Sequence, residues 1–165
     1  RNLLIGHAPC DGRCLFGRFR PAGQRSKVLA ADAGSAESAH DAASAQRVLD
    51  AVPVSVCFDP SHFVMSGDDI PRLIEFWGER IVHFHLKDAF GRPGMDGEDF
   101  HFCMLGEGRV PWPEVFEALG RIGYRGTLSV EFEAHRYYEQ VLGGDPEEAA
   151  KLSRTQVAAL LGQPA

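Results

Sequence analysis

Three short apolar runs in this 165-residue chain end on groups that can do chemistry. Val54-Ser55-Val56-Cys57-Phe58-Asp59 ends on a carboxylate and is followed by Pro60-Ser61-His62. Ile81-Val82-His83-Phe84-His85-Leu86 carries two imidazoles and ends on Lys87 and Asp88. Thr127-Leu128-Ser129-Val130-Glu131-Phe132-Glu133 ends on two carboxylates. Runs of this length and make-up, bounded by charge and turn residues, read as buried strands. A strand repeats every two residues, so His83 and His85 share a face. Asp, His and Glu offered from three strand ends suit a divalent cation such as Mn²⁺, Co²⁺ or Zn²⁺, because hard oxygens and imidazole are both present. Each residue taken alone has a plainer reading. An Asp at a strand end is commonly a helix N-cap or a turn residue, and a lone strand His is commonly a hydrogen-bonded core residue. Repetition at matched places is what favours a site.

The elements that must position these residues can be read from the remaining sequence. Asn2–Ile5 can form a short strand. Ser35–Val52 is rich in Ala and can form a helix, with Ala42, Ala45, Val48, Leu49 and Val52 on one face. Strand 53–59 comes next, and Pro60-Ser61-His62 turns the chain. Asp69 can cap a helix ending near Trp77, with Pro71 in its first turn and Gly78 as its stop. The strand 81–87 is next, then a long loop over 88–110. Its place after a site-bearing strand suggests that it covers a substrate. A helix over 113–122, a strand over 127–132 and helices over 134–142 and 146–161 complete the chain. The alternation β-α-β-α-β-α-β-α means a parallel α/β sheet. Four strands make a small open sheet or half of a (β/α)₈ barrel.

Composition bounds the function. Residues 1–50 carry seven Lys/Arg against five Asp/Glu, and residues 51–165 ten against eighteen. The net charge of −6 argues against a general nucleic-acid binder. No apolar run approaches membrane-spanning length, and no secretory leader is visible. The expectation is a cytoplasmic protein with no membrane partner. Cys10 and Cys14 lie close together but do not form a CxxC pair, while Cys57 and Cys103 sit among apolar residues as reduced core thiols. Residues 10–45 are dominated by Gly, Ala, Ser and Arg, a poorly packing composition. The chain therefore divides into a degenerate segment, 1–51, with one possible strand and one helix, and a regular α/β part, 52–165.

Phe58-Asp59-Pro60-Ser61-His62, Gly67-Asp68-Asp69, Gly78-Glu79-Arg80 running into His83-Phe84-His85-Leu86-Lys87-Asp88, Leu105-Gly106-Glu107-Gly108, Pro111-Trp112, Ile122-Gly123-Tyr124-Arg125-Gly126 and Val130-Glu131-Phe132-Glu133 together resemble the xylose isomerase-like (β/α)₈ TIM-barrel superfamily, in particular its sugar phosphate isomerase/epimerase members. The resemblance spans about residues 52–162 and corresponds to the C-terminal half of that barrel, about four βα units. It implies a divalent metal, Mn²⁺, Co²⁺, Mg²⁺ or Zn²⁺, at the C-terminal mouth of the sheet, with Asp59, His85 and Glu131 as ligands. It implies that His62 holds substrate oxygens and that Glu131 takes part in proton transfer next to a carbonyl through an enediolate. Lys87 and His83 would stand beside the metal or on the substrate side. The implied substrate is a small sugar or sugar phosphate.

The resemblance departs in one place. The family's first Glu ligand belongs at the end of the strand before Asp59's, where Ile5-Gly6-His7-Ala8-Pro9 is the best counterpart and Gly6 replaces the Glu. His7 is a weak substitute. Residues 10–45 do not resemble the family, as expected of a segment translated out of its ancestral frame or of a truncated remnant. The alternative to a metal-dependent isomerase/epimerase is a non-catalytic half-barrel, completed by self-association or by a missing N-terminal half. A hydrolase of the abasic-site endonuclease type shares the barrel but suits this acidic chain poorly.

Overall fold

The computed structural model describes residues 3–6, 28–30, 41–91 and 101–163. Five strands form one parallel sheet: β1 (Leu3–Gly6), β2 (Val28–Ala30), β3 (Ser55–Phe58), β4 (Ile81–Leu86) and β7 (Thr127–Glu131), in the spatial order β1-β7-β4-β3-β2. The α/β alternation is as the sequence implies, and the sheet is that of a partial (β/α)₈ barrel. From β2 to β3, β4 and β7, successive sheet strands are spatial neighbours.

Three sequence expectations need correction, the third of them at residues 60–62. The segment Leu3–Gly6 is a strand, but it pairs with β7, so that Gly6 is level with Glu131. It does not stand beside Asp59's strand. That place is held by β2, whose Ala30 is level with Cys57. Gly6 is therefore not the counterpart of a carboxylate next to Asp59. Residues 31–40, which follow Ala30, lie outside the described residues, as do His7, Cys10 and Cys14. The segment 88–110 is not one loop. Asp88–Phe90 (β5) and His101–Cys103 (β6) form an antiparallel pair with Ala89 opposite Phe102.

Local chemistry explains the helices. Helix α1 (Ala42–Ala51) starts at Asp41, whose carboxylate accepts from the Ser44 N–H in a capping box. Helix α3 (Ile70–Trp77) starts at Asp69, with Pro71 in its first turn. Helix α4 spans Trp112–Arg121, α5 spans His135–Gln140, and α6 spans Pro146–Leu160 behind an Asp145 cap. Residues 60–62, expected as a turn, instead open a further helix, α2 (Pro60–Ser66), which Gly67 ends at φ 75°. None of the described helices is long and apolar enough to cross a membrane.

The sheet's two faces differ in kind. Val56, Phe58, Phe84, Leu86 and Val130 are buried under the helices with Ile74, Trp77 and Val115. Phe58 and Phe84 stack at 5.2 Å, and Trp77 meets Phe58 edge-on. The alternate residues Cys57, His83, His85, Ser129 and Glu131 fall on the other face. A register shift between Val56 and Cys57 moves the pairing from Ile81 to His83. This shift accounts for Ile81 and Phe84 both being buried although they are an odd number of residues apart.

Candidate metal centre

Asp59 follows the last residue of β3 and is the N-cap of α2. Its two oxygens have separate duties. Oδ1 accepts from the Ser61 backbone N–H at 2.9 Å and from the Ser61 hydroxyl at 2.7 Å. Oδ2 faces Lys87 Nζ at 2.9 Å, His62 Nε2 at 3.4 Å and His85 Nδ1 at 4.0 Å. Cap and ligand are therefore compatible readings of one residue.

His85 projects from β4 between two sets of partners. Nδ1 lies 2.8 Å from Glu131 Oε2, and Nε2 lies 3.4 Å from Cys57 Sγ. Asp59, His85 and Glu131 offer one ligand atom each, all within 4.8 Å of one another. This is an oxygen, oxygen and nitrogen set, which suits Mn²⁺, Co²⁺, Mg²⁺ or Zn²⁺. Cys57, behind the ring, occupies the nitrogen that does not face the carboxylates, a placement that orients a ligating imidazole. The residues present thus fit a divalent ion.

Lys87 is 4% exposed. Its Nζ lies 2.9 Å from Asp59 Oδ2, 3.2 Å from Glu131 Oε2 and 2.8 Å from Glu133 Oε2, with the Phe102 ring centroid at 4.4 Å. Phe102, brought over the site by the β5–β6 pair, also meets His62 edge-on at 5.7 Å. The segment expected to cover a substrate thus places an aromatic wall on the site. His83 lies one step away from the carboxylates, its ring 5.2 Å from that of His85. It forms a second possible ligand group with Cys57 and His85.

The charges are coupled. Burial opposes ionisation of Asp59, but Lys87, His62 and His85 outweigh it and hold the carboxyl well below its usual range. Burial likewise works against charge on His85, yet its hydrogen bonds to Cys57 and Glu131 push it up to about 10. Glu131 is held below its ordinary value against burial, chiefly by His85 and Lys87. Lys87 is raised, because Asp59, Glu131 and Glu133 together outweigh its burial. His83 is lowered by burial and by the neighbouring charge on His85.

Sequence reasoning brought Asp59, His62, His85, Lys87 and Glu131 forward, and the fold gathers all five. It gave no site role to Cys57, Glu133 or Phe102. Cys57 and Glu133 each stand two residues from a named site residue, Asp59 and Glu131, so strand parity was the available signal. Nothing local marked Phe102. Asp88, the residue at which the strand was expected simply to end, is fully buried. It accepts from the N–H groups of Ala89, Gly106, Gly108 and Val110 and from Trp112 Nε1. It anchors the return of the segment that carries Phe102.

An inosose dehydratase from Lacticaseibacillus casei is 30% identical over 91 residues, covering 48% of this chain and 30% of that protein. A solved structure described as the IOLI protein with a binding zinc atom superposes with a TM-score of 0.60 at 23% identity, over 73% of this chain and 43% of that one. An L-ribulose 3-epimerase structure superposes with a TM-score of 0.52 at 18% identity, over 75% and 42%. The chain spans about a third of the length of this curated relative and under half of each solved chain. Residues 28–158 match the xylose isomerase-like TIM barrel family. The match begins ahead of residue 52, at β2, so the family's pattern reaches into the segment whose composition seemed unlike it. The chain belongs to the xylose isomerase-like TIM barrel family.

Proposed function

We infer that the chain carries the metal-binding side of a sugar or polyol isomerase/epimerase, whose reaction is proton transfer at a carbon next to a carbonyl. The observation that supports this reading most is the convergence of Asp59, His85 and Glu131 from three adjacent parallel strands. The C-terminal ends of such strands are where barrels of this type place their chemistry. A divalent ion held by these three residues would supply Lewis acidity toward a substrate carbonyl. Glu131, whose carboxyl His85 and Lys87 hold below its ordinary value, would take or return a proton. His62, in the first turn of α2, would hold a substrate hydroxyl or carbonyl oxygen. Phe102 shields the site from water on one side.

A second reading is dehydration, favoured by the 30% identity to an inosose dehydratase. Both reactions begin by removing a proton next to a carbonyl. They differ in the second step, which returns a proton in one case and expels a hydroxyl group in the other. One experiment covers both. Ketoses, their phosphates and inososes are incubated with the protein in ²H₂O, with Mn²⁺ or with chelator, and monitored by NMR. Metal-dependent deuterium incorporation beside the carbonyl, lost in E131Q, is the expected result. An epimer or isomer as product supports the first reading. A conjugated enone with ultraviolet absorbance supports the second. No exchange with any carbonyl substrate, while Mn²⁺ is bound, would favour the non-catalytic half-barrel.

A further inference from the structure

Lys87 has more partners than a rim lysine needs. Its buried ammonium is shared among three carboxylates from the ends of β3 and β7, the two strands that flank its own, and is covered by an aromatic face. Two of the oxygens it holds, Asp59 Oδ2 and Glu131 Oε2, are the ones that face His85 Nδ1. Asp59 cannot offer its other oxygen without giving up the Ser61 cap. At Asp59 a metal ion and the ammonium therefore compete for one oxygen, and at Glu131 the oxygen that meets His85 Nδ1 is the one that meets Lys87. Glu133 differs: it holds Lys87 at 2.8 Å but does not belong to the group of three possible ligands.

Resting on the metal-site reading above, we propose that Lys87 is the resident cation of this site, which a divalent ion must displace from Asp59 and Glu131, leaving Lys87 on Glu133. Without metal, the ammonium keeps the buried Asp59 and the half-buried Glu131 from repelling each other, so the ligands stay gathered before any ion arrives. With metal, the same ammonium is a built-in competitor that sets the affinity below what the ligands alone would give. Like charges close together in a poorly solvated place must separate or lose charge. Among the described residues, Glu133 is the carboxylate partner outside the ligand group, and it lets Lys87 withdraw without being left unpaired.

The test is Mn²⁺ binding by calorimetry on the intact chain, together with melting curves in chelator, for the natural protein, K87M and E133Q. K87M should bind Mn²⁺ at least tenfold more tightly while melting lower in chelator. E133Q should bind several-fold more weakly, although Glu133 is not a ligand. K87M binding at or below the natural affinity overturns the assignment of Lys87 and leaves the metal site standing. Absence of Mn²⁺ binding to both the natural protein and K87M overturns the metal-site reading, and the assignment falls with it. Should K87M fail to fold, E133Q decides: weaker binding supports the proposal and unchanged binding overturns it.

Discussion

His85 Nδ1 and Glu131 Oε2 lie 2.8 Å apart, on strands that are neighbours in the parallel sheet. In the metal-free chain this is a charged hydrogen bond, since burial is outweighed and the imidazole is pushed up to about 10. A metal taking Nδ1 must replace that proton.

This bond makes both stability and metal affinity depend on pH. The folded value of His85 lies above its ordinary 6.5, so its contribution to stability is complete below pH 6.5 and is lost as pH rises toward about 10. The metal-free melting temperature should therefore fall over that window. Mn²⁺ affinity should rise over the same window, by up to about tenfold per pH unit, because proton and metal compete for one nitrogen. Calorimetry in buffers of different ionisation enthalpy should count about one proton released per ion bound. Affinity independent of pH, with no proton released, would place the ion away from His85.

The double duty of Asp59 can be separated by two substitutions. Asn is as good an N-cap as Asp but carries no charge, whereas Ala provides neither cap nor charge. D59N and D59A should both lose Mn²⁺ binding. D59A should be less stable than D59N by about 1 kcal/mol, the usual worth of a cap. Denaturant melts of the two variants measure that difference with the charge effect cancelled. Equal stability would mean that the Ser61 contacts do not hold the start of α2.

Much of this centre was legible because strand parity and strand ends are local signals. Asp59 closes its apolar run, Glu131 lies near the close of its own, and His83 and His85 interrupt theirs on one face simply by being two apart. Strand β2 was not legible. Its three residues sit in an Ala/Gly/Ser/Arg-rich stretch with no alternation to reveal them, and their order in the sheet is a tertiary fact. The place of β1 was misread for the same reason: a strand's neighbours are not written in its own sequence. Helix α2 was missed although its signals were present. The Asp-Pro start and Gly stop of residues 59–67 are the same punctuation that was read correctly at Asp145-Pro146. At seven residues, it was too short to show periodicity.

Ser153 is buried in α6, and its hydroxyl has no hydrogen-bond partner among the described residues. Removing an unpartnered buried hydroxyl relieves a desolvation cost and leaves a residue that favours helix. S153A should be neutral or more stable by about 1 kcal/mol. Its melting curve checks this, and a loss beyond about 1 kcal/mol would mean that the hydroxyl has a partner after all.

Asp88 should matter more to stability than any of the candidate ligands. Its carboxylate accepts from five donors spread over residues 89–112, so one side chain closes the whole return from β4 to α4. Gly108 approaches it so closely that a Cβ there would overlap the Asp88 carboxylate and the Ala89 carbonyl. D88N keeps one accepting oxygen and turns an amide toward donors, at a cost of about 1–3 kcal/mol. G108A should cost a similar amount, about 1–3 kcal/mol, through overpacking. Both variants should speed hydrogen exchange at the Gly106, Gly108 and Val110 amides more than in the central strands β3 and β4. Because this segment carries Phe102 over Lys87, both should also loosen the covered side of the site. Exchange that rises equally everywhere would show that Asp88 supports the domain as a whole and not this segment in particular.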